Sequence, residues 1–93
     1  MSNERNDYKK KEELLKRMIE SIIIPKYPDI EDVSIKSMFF RGMRRYGVLV
    51  LVKDTTLYSI QKKISDEIET LFKMASLNEK QINGRDYVDV LFA

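Results

Sequence analysis

The stretch Val48-Leu49-Val50-Leu51-Val52 is the longest uninterrupted apolar run in this chain of 93 residues. β-branched residues at every second position are typical of a β-strand, and an apolar residue at every position indicates that both faces of the strand are covered. The run is far shorter than the ~20 apolar residues that a membrane-spanning helix needs. We therefore expect a strand here and no insertion into a membrane.

A second strand precedes this run and makes a β-hairpin with it. Residues 33–40 alternate with period two, so that Val33, Ile35, Ser37 and Phe39 share one face while Ser34, Lys36, Met38 and Phe40 share the other. Residues 41–45 contain Gly42, which suits a turn. The returning strand is predicted to run from Tyr46 to Lys53.

Two amphipathic helices and a final strand complete the predicted elements. Apolar residues recur at three- and four-residue spacing in two segments, and Pro25 and Pro28 end the first segment. We expect that helix to begin at about Asp7 and to carry an exposed i,i+4 ion pair between Glu12 and Lys16. The two apolar stripes consist of Leu14, Leu15, Met18, Ile19, Ile22 and Ile23, and of Leu57, Ile60, Ile64, Ile68, Leu71 and Phe72.

After the second helix, Asn83-Gly84 is a turn signal and residues 87–92 alternate as a third strand. The element order is therefore α-β-β-α-β. This order predicts an α+β fold, a two-layer α/β sandwich in which two helices cover one face of a three-stranded sheet. We expect a flexible N-terminus over residues 1–6 and a single domain over residues 7–93.

The alternation of each strand assigns its side chains to a covered face and an open face. The covered face is predicted to contain Val33, Ile35, Val48, Val50, Val52, Val88, Val90 and Phe92. The open face then contains Met38, Phe40, Leu49, Leu51, Tyr87 and Leu91, which is too apolar for a face that meets only water. We predict that these six residues form an interface, most simply with a second copy of the chain. The alternative is that the N-terminal segment or the loop 78–84 folds over them.

The hairpin is also the most basic part of the chain. Residues 33–53 contain five basic residues and no acidic one, whereas the rest of the chain, with 12 basic and 15 acidic residues, carries −3. Arginines beside aromatic rings can bind phosphates and unstacked bases, so this segment is a candidate contact for RNA or an acidic partner. The alternative is a charged hairpin that keeps the sheet edge from pairing. The candidate contact residues are Lys36, Arg41, Arg44, Arg45 and Tyr46.

The composition excludes several chemistries. The chain has no His and no Cys, so it has no imidazole base, no thiol nucleophile and no thiolate or imidazole ligand for zinc. Carboxylates cluster at Asp29, Glu31 and Asp32 and at Asp66, Glu67 and Glu69, but neither cluster has the spacing of a calcium loop, and we interpret both as solvated surface. We therefore predict a non-enzymatic protein with no catalytic residues, no cofactor and no metal site.

Three stretches resemble the cytoplasmic C-terminal domain of the cation diffusion facilitator transporters. They are residues 27–33, which lead into the first strand, the basic turn at residues 41–45 before the Val-rich strand, and residues 64–69 of the second helix. The resemblance implies a small α-β-β-α-β domain that dimerises in the cytoplasm. That family binds regulatory metal largely through His and Asp, and this chain has no His.

The same element order also resembles that of the ribosome-binding factor A family, whose KH-like fold binds ribosomal RNA. Two functions are therefore carried forward. The first is a cytoplasmic protein–protein interaction module that pairs with itself or with another protein through its open sheet face. The second is an RNA- or ribosome-binding protein that uses the basic hairpin.

Overall fold

A computed structural model describes residues 3–41, 43–77 and 86–93, and the side chains of 9–39, 41, 43–75 and 86–93. Helix α1 spans Asn3–Met18 and continues as a π-helical turn over Ile19–Ile23 and a 3-10 turn over Ile24–Lys26. Strands β1 (Ile30–Phe40) and β2 (Met43–Val52) follow, and then helix α2 (Tyr58–Leu77) and strand β3 (Asp86–Phe92). The α-β-β-α-β order is as predicted.

Strand β2 is the centre of the sheet, whose order is β1-β2-β3. It pairs antiparallel with β1 and parallel with β3. The antiparallel pair is the predicted hairpin, and the parallel pair requires a crossover, which helix α2 supplies. The strand with the longest apolar run is therefore covered by a neighbour on each edge. The sequence alone did not predict this strand order.

The covered face of the sheet has the predicted residues. Val33, Val48, Val50 and Val52 are buried in the core, and Ile35, Val88, Val90 and Phe92 are partly buried against it. Tyr46 joins them, because it occupies the same parity of β2 as the three valines. The fold is a two-layer α+β sandwich, as the element order predicted.

Helix α1 contributes Leu15, Ile19 and Ile23 to the core, all with no exposed surface. A step of four residues advances ~400° around a regular α-helix, so repeated steps of four drift away from one side. The wider turn of the π-helix at Ile19–Ile23 reduces that drift and keeps Ile23 directed inward. Leu14 and Ile22, which were predicted on the same stripe, are 40% and 48% exposed at its margins.

The N-terminal boundary also differs from the expectation. Helix α1 begins at Asn3 rather than at about Asp7, so residues 3–6 are helical. Glu12 does not form the predicted pair on the outer side of the helix, because its carboxylate accepts a hydrogen bond from the hydroxyl of Ser37 in β1. The first helix is therefore held to the sheet by a polar contact as well as by its apolar side.

Helix α2 buries Ile64, Ile68, Leu71, Phe72 and Ala75. Leu57 lies outside the helix and is 66% exposed, because the chain first makes a turn in which the amide of Thr56 donates to the carbonyl of Lys53. The predicted Asn83-Gly84 turn lies outside the described residues. Within the described ranges, no helix is long and apolar enough to cross a membrane.

Candidate functional site: the open face of the sheet

The register of the strands defines the face of the sheet that the helices leave uncovered. Residues that are paired across strands share a face, so the rows Ser34–Leu49–Leu91, Lys36–Gly47–Asp89 and Met38–Arg45–Tyr87 run across all three strands on this side. Asp32 and Leu51 form a further row at one end. We call this set the open face, and it consists of Asp32, Ser34, Lys36, Met38, Arg45, Gly47, Leu49, Leu51, Tyr87, Asp89 and Leu91.

The apolar side chains of the open face are exposed. Leu49 and Leu51 are 39% and 38% exposed even though they lie on the central strand, and Leu91 is 62% exposed on the neighbouring strand. Met38 and Tyr87 are also exposed. Five of the six predicted interface residues therefore lie on one accessible surface, whereas the side chain of Phe40 lies outside the described part of the structure.

The alternative prediction was that the loop 78–84 or the N-terminal segment covers this face. Residues 78–84 lie outside the described ranges. Residues 3–6 belong to helix α1, which packs on the opposite side of the sheet, where Leu15, Ile19 and Ile23 enter the core. The interface itself stays a prediction.

Polar groups on the open face are arranged around Gly47. Lys36 and Asp89 lie at either side of it in the same row. Asp89 accepts a hydrogen bond from Nη1 of Arg45 at 3.2 Å, and the guanidinium of Arg45 lies 5.5 Å from the centre of the Tyr87 ring. Both members of this ion pair are about half exposed, so solvent screens it and it adds little to stability.

The structure divides the predicted basic contact between the two faces. Lys36 and Arg45 lie on the open face, while Arg44 pairs with Phe39 on the opposite parity and Arg41 lies in the turn with a φ of 51°. Lys36 and Arg45 therefore share one face of the sheet, and Arg44 belongs to the other.

Tyr46 is a correction to the predicted contact. It has no exposed surface, and its ring centre lies 5.2 Å from that of Phe72 in the core. The residue is therefore a core aromatic and cannot stack on a base. Strand parity was the signal that could have shown this, because Tyr46 is separated from Val48, Val50 and Val52 by even steps.

A buried ion pair joins helix α1 to strand β3, and the sequence did not indicate it. Nζ of Lys11 donates to Oδ2 of Asp86 at 2.6 Å, and the two side chains are only 1% and 8% exposed. The ammonium also lies 5.5 Å from the centre of the Tyr46 ring and 4.9 Å from that of Phe72. These ring faces favour a cation, so the charge is satisfied inside the apolar layer. Lys11 is four residues before Leu15, and extending that stripe toward the N-terminus would have found it.

The predicted carboxylate clusters do not assemble a metal centre within the described residues, where no group of three acidic side chains comes together. Glu67 instead accepts a hydrogen bond from Nζ of Lys26 at 2.6 Å. This bond, together with the nearby hydroxyl of Tyr27, holds the pKa of Glu67 below its ordinary value. The same carboxylate raises the pKa of Lys26 and of Tyr27. The three residues tie α2 to the segment that follows α1.

The comparisons with known proteins support the fold. No protein-family profile matches the sequence, and no curated protein matches it. Among solved structures, the C-terminal domain of the magnetosome protein MamB from Desulfamplus magnetovallimortis BW-1 is similar, with a TM-score of 0.55. The match has 19% identity and covers 83% of this chain and 91% of that one. The predicted resemblance in fold to the C-terminal domain of cation diffusion facilitators is confirmed.

Proposed function

We propose that this protein is a non-enzymatic interaction module that pairs with a second copy of itself through the open face. The observation that carries the proposal is the exposure of leucines on the central strand of the sheet. The solvent-facing side of a sheet in a two-layer fold normally carries polar residues, and here the central strand places leucines on that side. Removal of apolar surface from water contributes about 25 cal/mol per Å², so covering Leu49, Leu51 and Leu91 would stabilise a complex by several kcal/mol.

The non-enzymatic part of the proposal is supported by composition. The chain has neither His nor Cys, the residues that most often act as base and thiol nucleophile. The two clusters of acidic residues are on the surface or in an ion pair. Among the side chains that the structure describes, the strongly buried charges are Lys11 and Asp86, which neutralise each other. We also propose a cytoplasmic location, like that of the C-terminal domains that the fold resembles.

Sedimentation velocity over a micromolar concentration series tests the self-association. We expect a reversible dimer for the native protein. Leu49→Lys should dissociate it, because a charge at the centre of the apolar surface would be buried without a partner. Ser59→Lys, at an exposed position at the start of α2, is the matched control and should leave the dimer intact. A native protein that is monomeric throughout the series would contradict the proposal.

RNA binding is the second candidate, and one observation favours it. Lys36 and Arg45 share the open face with the exposed ring of Tyr87, which Arg45 overlies. An RNA complex would lose affinity steeply with added salt, and Lys36→Ser with Arg45→Ser would reduce the slope. Fluorescence anisotropy with labelled single-stranded RNA at two salt concentrations measures this. Affinity that is absent, or is unchanged by the double substitution, would exclude this use of the face.

A further inference from the structure

On the open face, one pair of residues on β2 and one pair on β1 are each centred on the same row of the sheet. The members of each pair complement each other in size or in charge. On β2, Gly47 and Leu51 lie at equal distances on either side of Leu49. On β1, Lys36 and Asp32 lie at equal distances on either side of Ser34, and Ser34 is the register partner of Leu49. The row Asp32–Leu51 therefore mirrors the row Lys36–Gly47 about the row that contains Ser34 and Leu49.

We propose that two copies pack with their open faces together about a two-fold axis that crosses the strands at the row Ser34–Leu49–Leu91. In this arrangement, Leu51 of each copy enters the space above Gly47 of the other. Lys36 of each copy meets Asp32 of the other. The inference rests on the proposed self-association and specifies its geometry and its partner residues.

The glycine at position 47 is not required by the protein's own fold. A β-carbon built there would meet only the backbone oxygen of Lys36, at 3.6 Å, which is an ordinary contact. Its φ lies outside the left-handed region, so the backbone conformation does not favour glycine either. Glycine weakens a strand interior, and it often marks a place where another group approaches closely. The gap above Gly47 therefore suits a side chain from outside the chain.

Leu51 has the shape and the position to fill that gap. It protrudes from the same face of the same strand and is 38% exposed. A two-fold axis at Leu49 exchanges positions 47 and 51. Leu51 of each copy therefore meets Gly47 of the other, and this contact forms twice. This reciprocity is the signature of an isologous interface, in which residue i meets residue j and residue j meets residue i.

The charges follow the same symmetry. Lys36 and Asp32 are exposed, and neither has an ion-pair partner among the side chains that the structure describes. The axis brings opposite charges together in two identical pairs at the edge of the interface. At the centre, Leu49 and Leu91 each meet their own copy, which gives an apolar core with a polar rim.

Other two-fold arrangements are less favourable. An axis along β2 would bring Lys36 onto Asp89, but it would also place Gly47 over Gly47, leaving a gap, and Arg45 over Arg45, which is a like-charge contact. An axis across the strands at the row of Lys36 and Asp89 would bring each of those charges onto its own copy. The axis at Ser34–Leu49–Leu91 fills the gap at Gly47 and places no charged residue on the axis itself.

Charge reversal tests the pairing of Lys36 with Asp32. Lys36→Asp should raise the dimer dissociation constant by about tenfold or more, because acid then faces acid twice. Adding Asp32→Lys in the same chain should restore the affinity, since the exchanged charges again face each other. Lys36→Asp combined with Asp89→Lys is the control and should not restore it. Rescue by Asp89→Lys instead would overturn the inference in favour of an axis along the strands.

Substitution of Gly47 tests the contact with Leu51. Gly47→Val should dissociate the dimer while leaving the far-ultraviolet circular dichroism and the melting temperature of the monomer unchanged or higher, because valine suits a strand. Gly47→Ala should weaken the dimer less than Gly47→Val. A dimer of native affinity in Gly47→Val would overturn the inference.

Cross-linking separates failure of the inference from failure of the proposed function. The chain has no cysteine, so Ser34→Cys gives a single thiol beside the axis, and a short bismaleimide should join two such chains. Thr70→Cys, on the exposed side of α2, is the control and should not cross-link. A dimer by sedimentation without the Ser34→Cys product would overturn this geometry alone. A native protein that is only monomeric would overturn the self-association as well.

Discussion

Lys11 places a positive charge inside an otherwise apolar layer. Its ammonium is bonded to Asp86 and lies beside the rings of Tyr46 and Phe72. Burying each charge of an ion pair costs desolvation free energy. Removing one partner therefore leaves the other charge buried and uncompensated, whereas replacing both partners with apolar groups removes the desolvation cost. The two members should therefore be strongly coupled in a mutational cycle.

We expect Asp86→Leu and Lys11→Met each to lower the free energy of unfolding by about 3–5 kcal/mol, because each leaves the other charge buried without its partner. The double variant Lys11→Met/Asp86→Leu should recover most of that loss, because neither charge is then buried alone. Urea denaturation of the single and double variants measures the coupling. Lys10→Ala, at the adjacent exposed position, should change stability by less than about 0.5 kcal/mol. Additive losses in the double variant would contradict this account.

These residues also show which features can be predicted from the sequence and which cannot. The alternation of residues 33–40 predicted both faces of β1, because a period of two is a local property of the chain. Lys11 was not found, because the partner that makes its burial possible is 75 residues away. Tyr46 was assigned to the surface because its neighbours in sequence are arginines, although its strand parity places it in the core.

At the scale of elements, the apolar stripe predicted for α1 is wider than the side of the helix that is buried in the core. Leu15 has no exposed surface, whereas the adjacent Leu14 is 40% exposed. Leu15→Ala should lower the free energy of unfolding by about 2–5 kcal/mol through loss of buried surface and creation of a cavity. Leu14→Ala should cost less than about 1 kcal/mol. Thermal or urea unfolding of this matched pair checks the assignment, and equal losses would show that both leucines are buried.

The contact of Glu67 with Lys26 and Tyr27 predicts how stability depends on pH. The pKa of Glu67 is lowered in the folded protein, so its contribution is present above the ordinary glutamate pKa and is lost as the pH falls through the folded value. The pKa of Lys26 is raised, so its contribution is present below the ordinary lysine pKa and is lost as the pH rises through the folded value. The link between α2 and the preceding segment is therefore strongest near neutral pH.

Glu67→Gln should lower stability at neutral pH and converge on the native protein at acidic pH, where the native carboxylate is also protonated. Glu69→Gln, at an exposed position of the same helix, should show no such convergence. Urea unfolding at a series of pH values measures the difference. A constant gap between Glu67→Gln and the native protein across the series would show that the carboxylate charge is not involved.

Strand order is the element-scale feature that the sequence left open. Strand β2 carries apolar residues on both faces, so the pattern of Val48–Val52 does not distinguish which strand joins each of its edges. The crossover through α2 places β3 beside β2. Only this adjacency brings Leu91 beside Leu49 and gives the open face its continuous apolar row.

At the scale of the whole molecule, the open face predicts a stability that depends on concentration. A dimer that forms only from folded chains shifts the unfolding equilibrium by mass action. The melting temperature of the native protein should therefore rise as its concentration increases, and that of Leu49→Lys should not. Differential scanning calorimetry at several concentrations makes the comparison. A native melting temperature independent of concentration would argue against association of the folded chains.

The contact between Lys11 and Asp86 also has a consequence for synthesis of the chain. The first helix leaves the ribosome early, but the carboxylate that neutralises its buried lysine is made 75 residues later. Until then, the β1–β2 hairpin can form locally, but burial of Lys11 in the core would leave its charge without a partner. The N-terminal helix should therefore dock late, and ribosome-bound chains arrested before Asp86 should expose it to added protease.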